Sequence, residues 1–395
     1  MIFSLSNEQL IESGALHTAQ EISQQPALWV ETYNLIRSKT EEINYFIKGI
    51  LAKHQKVRVV LAGAGTSSFI GYTILPYLKK ITDGHVFSME SIATTDLVSN
   101  PGYFLKKDEP TILISFSRSG NSPESVASVE LTEQLVDYSY HIVLTCSPEG
   151  KLAEKAEAQT NTLLLLLPPG ANDQGFAMTG SFTSMMLAAL LIFDRNRLEE
   201  LGNVIELIAT IGKNIVEEKA KQIDEIAKVP FKKIVYLGSG VFSRLAQEAA
   251  LKMLELTGGD IPVSFDSSLG FRHGPKSIMD TDTLVVVFLS NHPYTRKYDL
   301  DILSEINKED SKGKVVAISG FYDEEAEKLC DWFLYNEEVS SLGEEDVYLT
   351  FVHILYAQIL ALRKSMLLGF LPDNPCPSGS VNRVVQGVKL YKFEP

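Results

Sequence analysis

Over residues 1 to 50 the apolar side chains recur at helical spacing, Trp29, Tyr33 and Ile36 and then Ile43, Phe46 and Ile47, which predicts amphipathic helices whose role is packing. From Val57 the pattern changes to short apolar runs alternating with helical stretches. Runs at Val57 to Ala62, His85 to Met89, Thr111 to Ser115, His141 to Thr145 and Thr162 to Leu167 predict buried parallel strands, because a sheet covered on both faces needs apolar residues at nearly every position. The rhythm then returns. Val59-Val60-Leu61-Ala62-Gly63-Ala64-Gly65 is echoed by Ile234-Val235-Tyr236-Leu237-Gly238-Ser239-Gly240, Thr111 to Ile114 by Thr283 to Val286, and Ile142 to Leu144 by Val315 to Ala317, at offsets of 175, 172 and 173 residues. Near-constant offsets predict two copies of one α/β domain, joined by a helical connector at about Met185 to Lys228. The expected division is a helical segment at 1-50, a first domain with its connector at 51-215, and a second domain at 216-395. The last part contains a long apolar helix from beyond Glu344 to about Phe370 and a proline-containing tail expected to fold back onto the body.

The two copies differ after their third strands. The first has Ser115-Phe116-Ser117-Arg118-Ser119-Gly120-Asn121-Ser122-Pro123, and the second has Leu289-Ser290-Asn291-His292-Pro293. Ser122 then Pro123 reads as an N-cap followed by proline at the first helical position. A helix N-terminus offers unpaired N–H groups and a positive dipole end, and the serines add hydroxyl donors, which together suit a phosphate monoester. Serines that merely cap and line a turn are the plainer alternative. Gly63-Ala64-Gly65-Thr66-Ser67-Ser68 follows the first strand in the same way, but Phe69 and Ile70 stand where a dinucleotide fingerprint needs its third glycine. Two hydroxyl-rich turns at the carboxyl edge of one parallel sheet point instead to one shared ligand.

Composition narrows the partners. A net charge of -14, from 36 basic and 50 acidic side chains, argues against a nucleic-acid surface. The three cysteines, Cys146, Cys330 and Cys376, are far apart and odd in number, which suggests a reducing cytosol with no disulfide framework. No charged-then-apolar leader opens the chain, and the runs Leu163 to Leu167 and Met185 to Phe193 are too short to span a bilayer, so a cytoplasmic protein without membrane attachment is expected. His17, His54, His85, His141, His292 and His353 show no metal-ligand spacing, and neither a metal nor a cofactor is expected.

Two further groups carry candidate chemistry. Glu248, Lys252 and Glu255 are spaced to share one helix face, and spacing alone reads them as a charged face turned outward or toward a cleft, with Glu248 and Lys252 as an ordinary exposed ion pair. The other is His273, in the loop Phe271-Arg272-His273-Gly274-Pro275, where the backbone places a side chain that titrates near working pH, although most loop histidines are not catalytic.

Taken together, a tandem α/β chain with Gly-Thr-Ser after strand one, Ser-x-Ser-Gly-x-Ser after strand three, and Leu-Lys-x-x-Glu followed by His-Gly-Pro in copy two resembles the SIS (sugar isomerase) phosphosugar family. The likeness covers roughly residues 50 to 395 and the isomerase half of glucosamine-6-phosphate synthase. The opening Thr18-Ala19-Gln20-Glu21-Ile22 to Gln25-Pro26-Ala27-Leu28-Trp29 and the tail Pro377 to Gly387 resemble the galactosamine-6-phosphate deaminase/isomerase subgroup, also named tagatose-6-phosphate ketose/aldose isomerase. The resemblance implies two tandem SIS domains, each a flavodoxin-like three-layer α/β fold. By matching position it implies phosphate contacts at Ser67, Ser117, Ser119 and Ser122 with backbone help near Thr66 and Gly120. It further implies an acid/base carboxylate at Glu255, its helix neighbour at Lys252, and a ring-opening histidine at His273 donated across a homodimer. Where the synthase tail carries a Schiff-base lysine this tail places Gln386, so covalent capture of the sugar there is not expected.

The implied activity is deamination of galactosamine 6-phosphate to tagatose 6-phosphate and ammonia. Aldose-ketose isomerisation of a hexose 6-phosphate is the first alternative, and a non-catalytic sugar-phosphate-binding regulator is the second.

Overall fold

The computed structural model describes residues 1–309, 313–336, 342–379, 381–385 and 387–394. Among these, ten strands form two five-stranded parallel sheets. The first holds β1 (Val57–Gly63), β2 (Phe87–Ala93), β3 (Thr111–Ser117), β4 (Ser139–Thr145) and β5 (Thr162–Leu166) in the order β2-β1-β3-β4-β5. The second holds β6 (Lys233–Gly238), β7 (Val263–Asp266), β8 (Thr283–Phe288), β9 (Lys314–Ser319) and β10 (Trp332–Tyr335) in the order β10-β9-β8-β6-β7. Read from its own first strand outward, each sheet has the same 2-1-3-4-5 order, so the periodicity in the sequence is a repeat of topology. Strand β2 begins two residues later and runs four residues further than the His85 to Met89 expectation. The reason is a charged pair inside the sheet: buried Arg58 on β1 donates from Nε and NH2 to Glu90 on β2 at 3.2 and 2.8 Å, so a carboxylate that reads as a strand end sits mid-strand.

The described chain divides into two compact units. One comprises Ala27–Asp173, Gly180–Gly202 and Ser378–Pro395 and contains the first sheet. The other comprises Met1–Pro26, Gln174–Thr179 and Asn203–Pro377 and contains the second. The division falls at Pro26, inside the helix Leu16–Ser38.

In the first unit β1 and β3 are buried along their whole length, as their unbroken apolar runs require. The helix Gly180–Phe193 is buried on every side. Its N-terminal dipole end is met by the buried Asp173 carboxylate, which accepts from the Gly180 and Ser181 N–H groups at 3.0 and 2.9 Å. Among its described residues the tail of this unit has no regular secondary structure but is tied down, with Arg118 donating to the Arg383 carbonyl at 2.9 Å and Gln134 to the Phe393 carbonyl at 3.1 Å. Gln386 lies outside the described residues.

In the second unit a core of Val235, Leu237, Val285, Val287, Ile302 and Ile306 fills one face of the sheet. The long helix Asp346–Leu367 is buried over most of its length, matching the apolar run beyond Glu344. No helix among the described residues is long and apolar enough to cross a membrane.

Candidate functional site

In a parallel sheet of order 2-1-3-4-5, the chain leaves the carboxyl ends of strands 1 and 3 in opposite directions, and the crevice opened there is where such folds hold ligands. In the first sheet that position is bracketed by the turn after β1 and the turn after β3, strands paired in register from Arg58↔Thr111 to Ala62↔Ser115. Gly65 caps the helix Thr66–Ile81 with φ +55, a left-handed conformation that a side chain would strain. That turn brings the buried Thr66 and Ser67 to the helix N-terminus. Ser117 ends β3 and is buried, Ser119 is half-buried, Gly120 is buried, and Ser122 is the N-cap of the helix Pro123–Leu135. The Ser122 side chain makes no capping bond, so the orphan N–H group that a serine cap would normally satisfy is not taken by it. The turn is stiffened by its own contacts: Asn121 N–H donates to Ser119 Oγ at 3.2 Å, Lys151 N–H to Asn121 Oδ1 at 3.1 Å, and Leu152 N–H to the Gly120 carbonyl at 3.1 Å. Thr66, Ser67, Ser117, Ser119, Gly120 and Ser122 thus belong to two adjacent turns at one sheet edge.

Arg118, which pattern reading passed over, is a buried guanidinium in the middle of this turn. Its NH2 donates to the Arg383 carbonyl of the tail, and the only signal for it in the sequence is a basic residue flanked by two serines. Its carbonyl is used by the neighbouring strand end, accepting from Cys146 N–H at 3.1 Å.

In the second unit, Gly240 repeats the backbone of Gly65, with φ +60 at the start of the helix Val241–Leu256. The exposed Glu248–Lys252 ion pair expected on this helix is not what the structure has. Glu248 and Lys252 are fully buried and only Glu255 retains access, its side chain 24% exposed. Lys252 Nζ lies 2.5 Å from Glu255 Oε2 and 3.4 Å from Glu248 Oε1. Burial alone would push the ammonium toward the neutral form, but the Glu248 and Glu255 carboxylates outweigh it and hold the Lys252 pKa above the ordinary lysine value. The surface reading failed because spacing reports which residues share a helix face and says nothing of what packs over that face. His273 stands exposed between two single-turn helices, Gly270–Arg272 and Pro275–Ile278.

The turn of the second sheet that corresponds to the serine cradle is filled from within. Ser290 N–H donates to Asp299 Oδ2 at 3.0 Å, and Asn291 N–H to Asp346 Oδ1 at 2.7 Å, while the Ser290 hydroxyl donates to Asp346 Oδ2. The hydroxyls of Ser239 and Ser268 each donate to Asp299 Oδ1 at 2.5 Å. Val241 and Phe242 stand where the first copy has Thr66 and Ser67, and Phe242 stacks on His353 with centroids 5.0 Å apart. The donors of this turn are therefore spent on the chain's own carboxylates.

Burial pushes the Asp346 carboxyl up to about 6, against the hydrogen bonds from Ser290 and Asn291 that favour its ionised form. Its native pKa lies above the unfolded one, so the stabilisation from this group is full below the ordinary carboxylate range and is lost as pH rises through about 6. Asp346→Asn should accordingly lose up to about 3 kcal/mol less unfolding free energy than the wild type between pH 4 and pH 7. Urea titrations across that range measure it, and identical slopes for the two proteins would contradict the assignment.

Among the described residues no group of three or more His, Cys, Asp or Glu is arranged to hold a metal ion.

The SIS domain model matches residues 51–195 and 229–362, more than half of the chain. A Shewanella sp. (strain ANA-3) protein named D-galactosamine-6-phosphate deaminase AgaS is 44% identical over 389 residues, covering 98% of this chain and 95% of that protein. A solved structure from Clostridium novyi NT, proposed as a tagatose-6-phosphate ketose/aldose isomerase, superposes with a TM-score of 0.95 at 44% identity, covering 100% of this chain and 99% of that one. The tagatose-6-phosphate ketose/aldose isomerase of Escherichia coli superposes with a TM-score of 0.86 at 38% identity, covering 96% of this chain and 97% of that one. Two matched SIS regions, one on each sheet, and similarity running through the whole length place this chain in the SIS domain family.

Proposed function

We propose that this protein is an amino-sugar phosphate deaminase/isomerase converting galactosamine 6-phosphate and water to tagatose 6-phosphate and ammonia. The observation that carries the reading is a partly accessible carboxylate, Glu255, held 2.5 Å from a buried ammonium that a second buried carboxylate compensates. Similarity over nearly the full chain to proteins named D-galactosamine-6-phosphate deaminase supports the choice of substrate. The 6-phosphate is taken by Ser67, Ser117, Ser119 and Ser122 with backbone N–H groups near Thr66 and Gly120. His273 assists ring opening to the C1 aldehyde. Glu255, its orientation held by Lys252, then removes the C2 proton to give an enolamine and returns a proton to C1, leaving an imine at C2. Hydrolysis of that imine consumes one water and releases ammonia with the ketose 6-phosphate.

A second reading, plain aldose-ketose isomerisation, is favoured by the solved E. coli relative named for that reaction, since the same proton transfer works with a C2 hydroxyl. Ammonia release assayed across hexosamine 6-phosphates, beside turnover of galactose 6-phosphate, separates the two. Release of ammonia from galactosamine 6-phosphate with much slower use of the neutral sugar is the expected result, because a site that pairs a polar substituent rejects the wrong one strongly. Turnover of the neutral sugar phosphate alone would overturn the deaminase reading.

The proposal extends to a cytoplasmic homodimer in which His273 serves the partner's site. Mixing inactive Glu255→Gln with strongly impaired His273→Ala protein should then raise activity above the sum of the two alone through hybrid dimers, and no gain after verified subunit exchange would place both residues in one chain's site.

A further inference from the structure

His273 occupies a loop with a glycine on either side of it. Glycines stand at 270 and 274, and Gly274 takes φ +120, a conformation few other residues adopt. Among the described residues the imidazole has no hydrogen-bond partner, so its position must come from its neighbours in the chain. Phe271 supplies one anchor, fully buried in the core against strand and helix residues including Val285 and Ile302. The others are ionic. Arg272, one residue before His273, donates from Nε to Glu305 Oε2 at 2.5 Å and from NH2 to Asp301 Oδ2 at 2.7 Å. Lys276, three residues after it, donates to Glu305 Oε1 and is ion-paired with Glu309. Asp301, Glu305 and Glu309 recur every fourth residue along and just past the helix Pro293–Asn307, forming a carboxylate ladder.

Within that ladder only Glu305 grips both sides of the histidine. Asp301 holds the preceding turn alone, and Glu309 the following turn alone. The Lys276 and Arg272 hydrogen bonds hold the Glu305 carboxyl below the usual glutamate range, so it is ionised throughout the neutral region. Arg272 and Lys276 are each about one-fifth exposed and Glu305 somewhat more than a third, so solvent screens these pairs in part and their role is geometric more than energetic. Because the sequence separation is 33 residues to Arg272 and 29 to Lys276, nothing local makes this clasp, and it is set by the packing of the helix against the loop.

We propose that Glu305 is a positioning residue for His273, closing the two turns on one carboxylate so that the imidazole is presented in a single place. The inference rests on the reading of His273 as the ring-opening group. Replacing Glu305 leaves Arg272 on Asp301 and Lys276 on Glu309, so both turns stay tied to the helix and only their mutual registration is released. A displacement of that kind at a reacting group is enough for a tenfold to hundredfold rate loss.

The test is steady-state ammonia release by wild type, Glu305→Gln, His273→Ala and the double variant, on the hexosamine 6-phosphate that the enzyme turns over. Glu305→Gln is expected to lower kcat about tenfold with KM changed less than about twofold. In the His273→Ala background the same change should have no further effect, since a residue acting through His273 has nothing left to position. Lys276→Gln cuts the clasp from the loop side and should reproduce the kcat loss, which keeps the test open should Glu305→Gln fold poorly. A wild-type kcat in both clasp variants, or an additive loss in the double variant, overturns the inference while leaving His273 in its role. A His273→Ala enzyme with wild-type kcat overturns the role of His273 and this inference with it.

Discussion

Glu255→Gln protein is expected to lose ammonia release and solvent-deuterium exchange at C2 together, each by about a thousandfold or more, while remaining folded. Both readouts need the same proton abstraction, and general base catalysis of this kind contributes on the order of a hundredfold to ten-thousandfold, toward the upper end where one carboxylate serves both transfers. The fold should survive because of the neighbouring charge. Lys252 is fully buried, and an uncompensated buried ammonium costs several kcal/mol, but Glu248 remains 3.4 Å away when Glu255 is neutralised. Circular dichroism and thermal unfolding verify the fold, and exchange monitored by proton NMR reads the chemistry. A variant that still exchanges the C2 hydrogen at the wild-type rate would remove Glu255 as the base.

Ser117→Ala combined with Ser119→Ala should raise KM for the phosphosugar at least tenfold with little change in stability. Hydrogen bonds to a charged group contribute about 1.5–3 kcal/mol each, and every 1.4 kcal/mol is about tenfold in affinity, so two lost donors would exceed that floor if both bind in full. Ser119 Oγ also accepts from Asn121 N–H, so part of the effect reflects a looser turn. The same bond explains why the pair of changes is more informative than either alone. Unchanged affinity in the folded double variant would move the phosphate elsewhere, and the second sheet would not be the obvious refuge, because Asp299 and Asp346 already take up its corresponding donors.

How much could be read before the structure differs by feature, and the differences have one cause. Strands buried on both faces write themselves as unbroken apolar runs, which is why β1, β3, β4 and the repeat at β6, β8 and β9 stood out, and why an apolar run beyond Glu344 was the helix Asp346–Leu367. Turn chemistry is equally local: a Ser-Pro at a helix start and glycine at a left-handed position must be spelled in adjacent residues, so the serine turn and the Gly65 turn were visible as candidate ligand cradles.

What sequence pattern could not supply is the identity of the partner across a fold. Arg58 and Glu90 are 32 residues apart and met only because β1 and β2 lie side by side, which moved the expected second strand. Ser290 and Asp346 are 56 residues apart, and their contact is what closes the second copy's turn. Glu248, Lys252 and Glu255 declared their shared face by spacing, yet only the packing of the helix buried two of them and left the third accessible. Periodicity and turn residues are properties of the backbone within a few positions, and the chain determined them alone. Burial, ion pairing and the filling of one cradle but not the other depend on which surfaces meet, and the tertiary structure decided those.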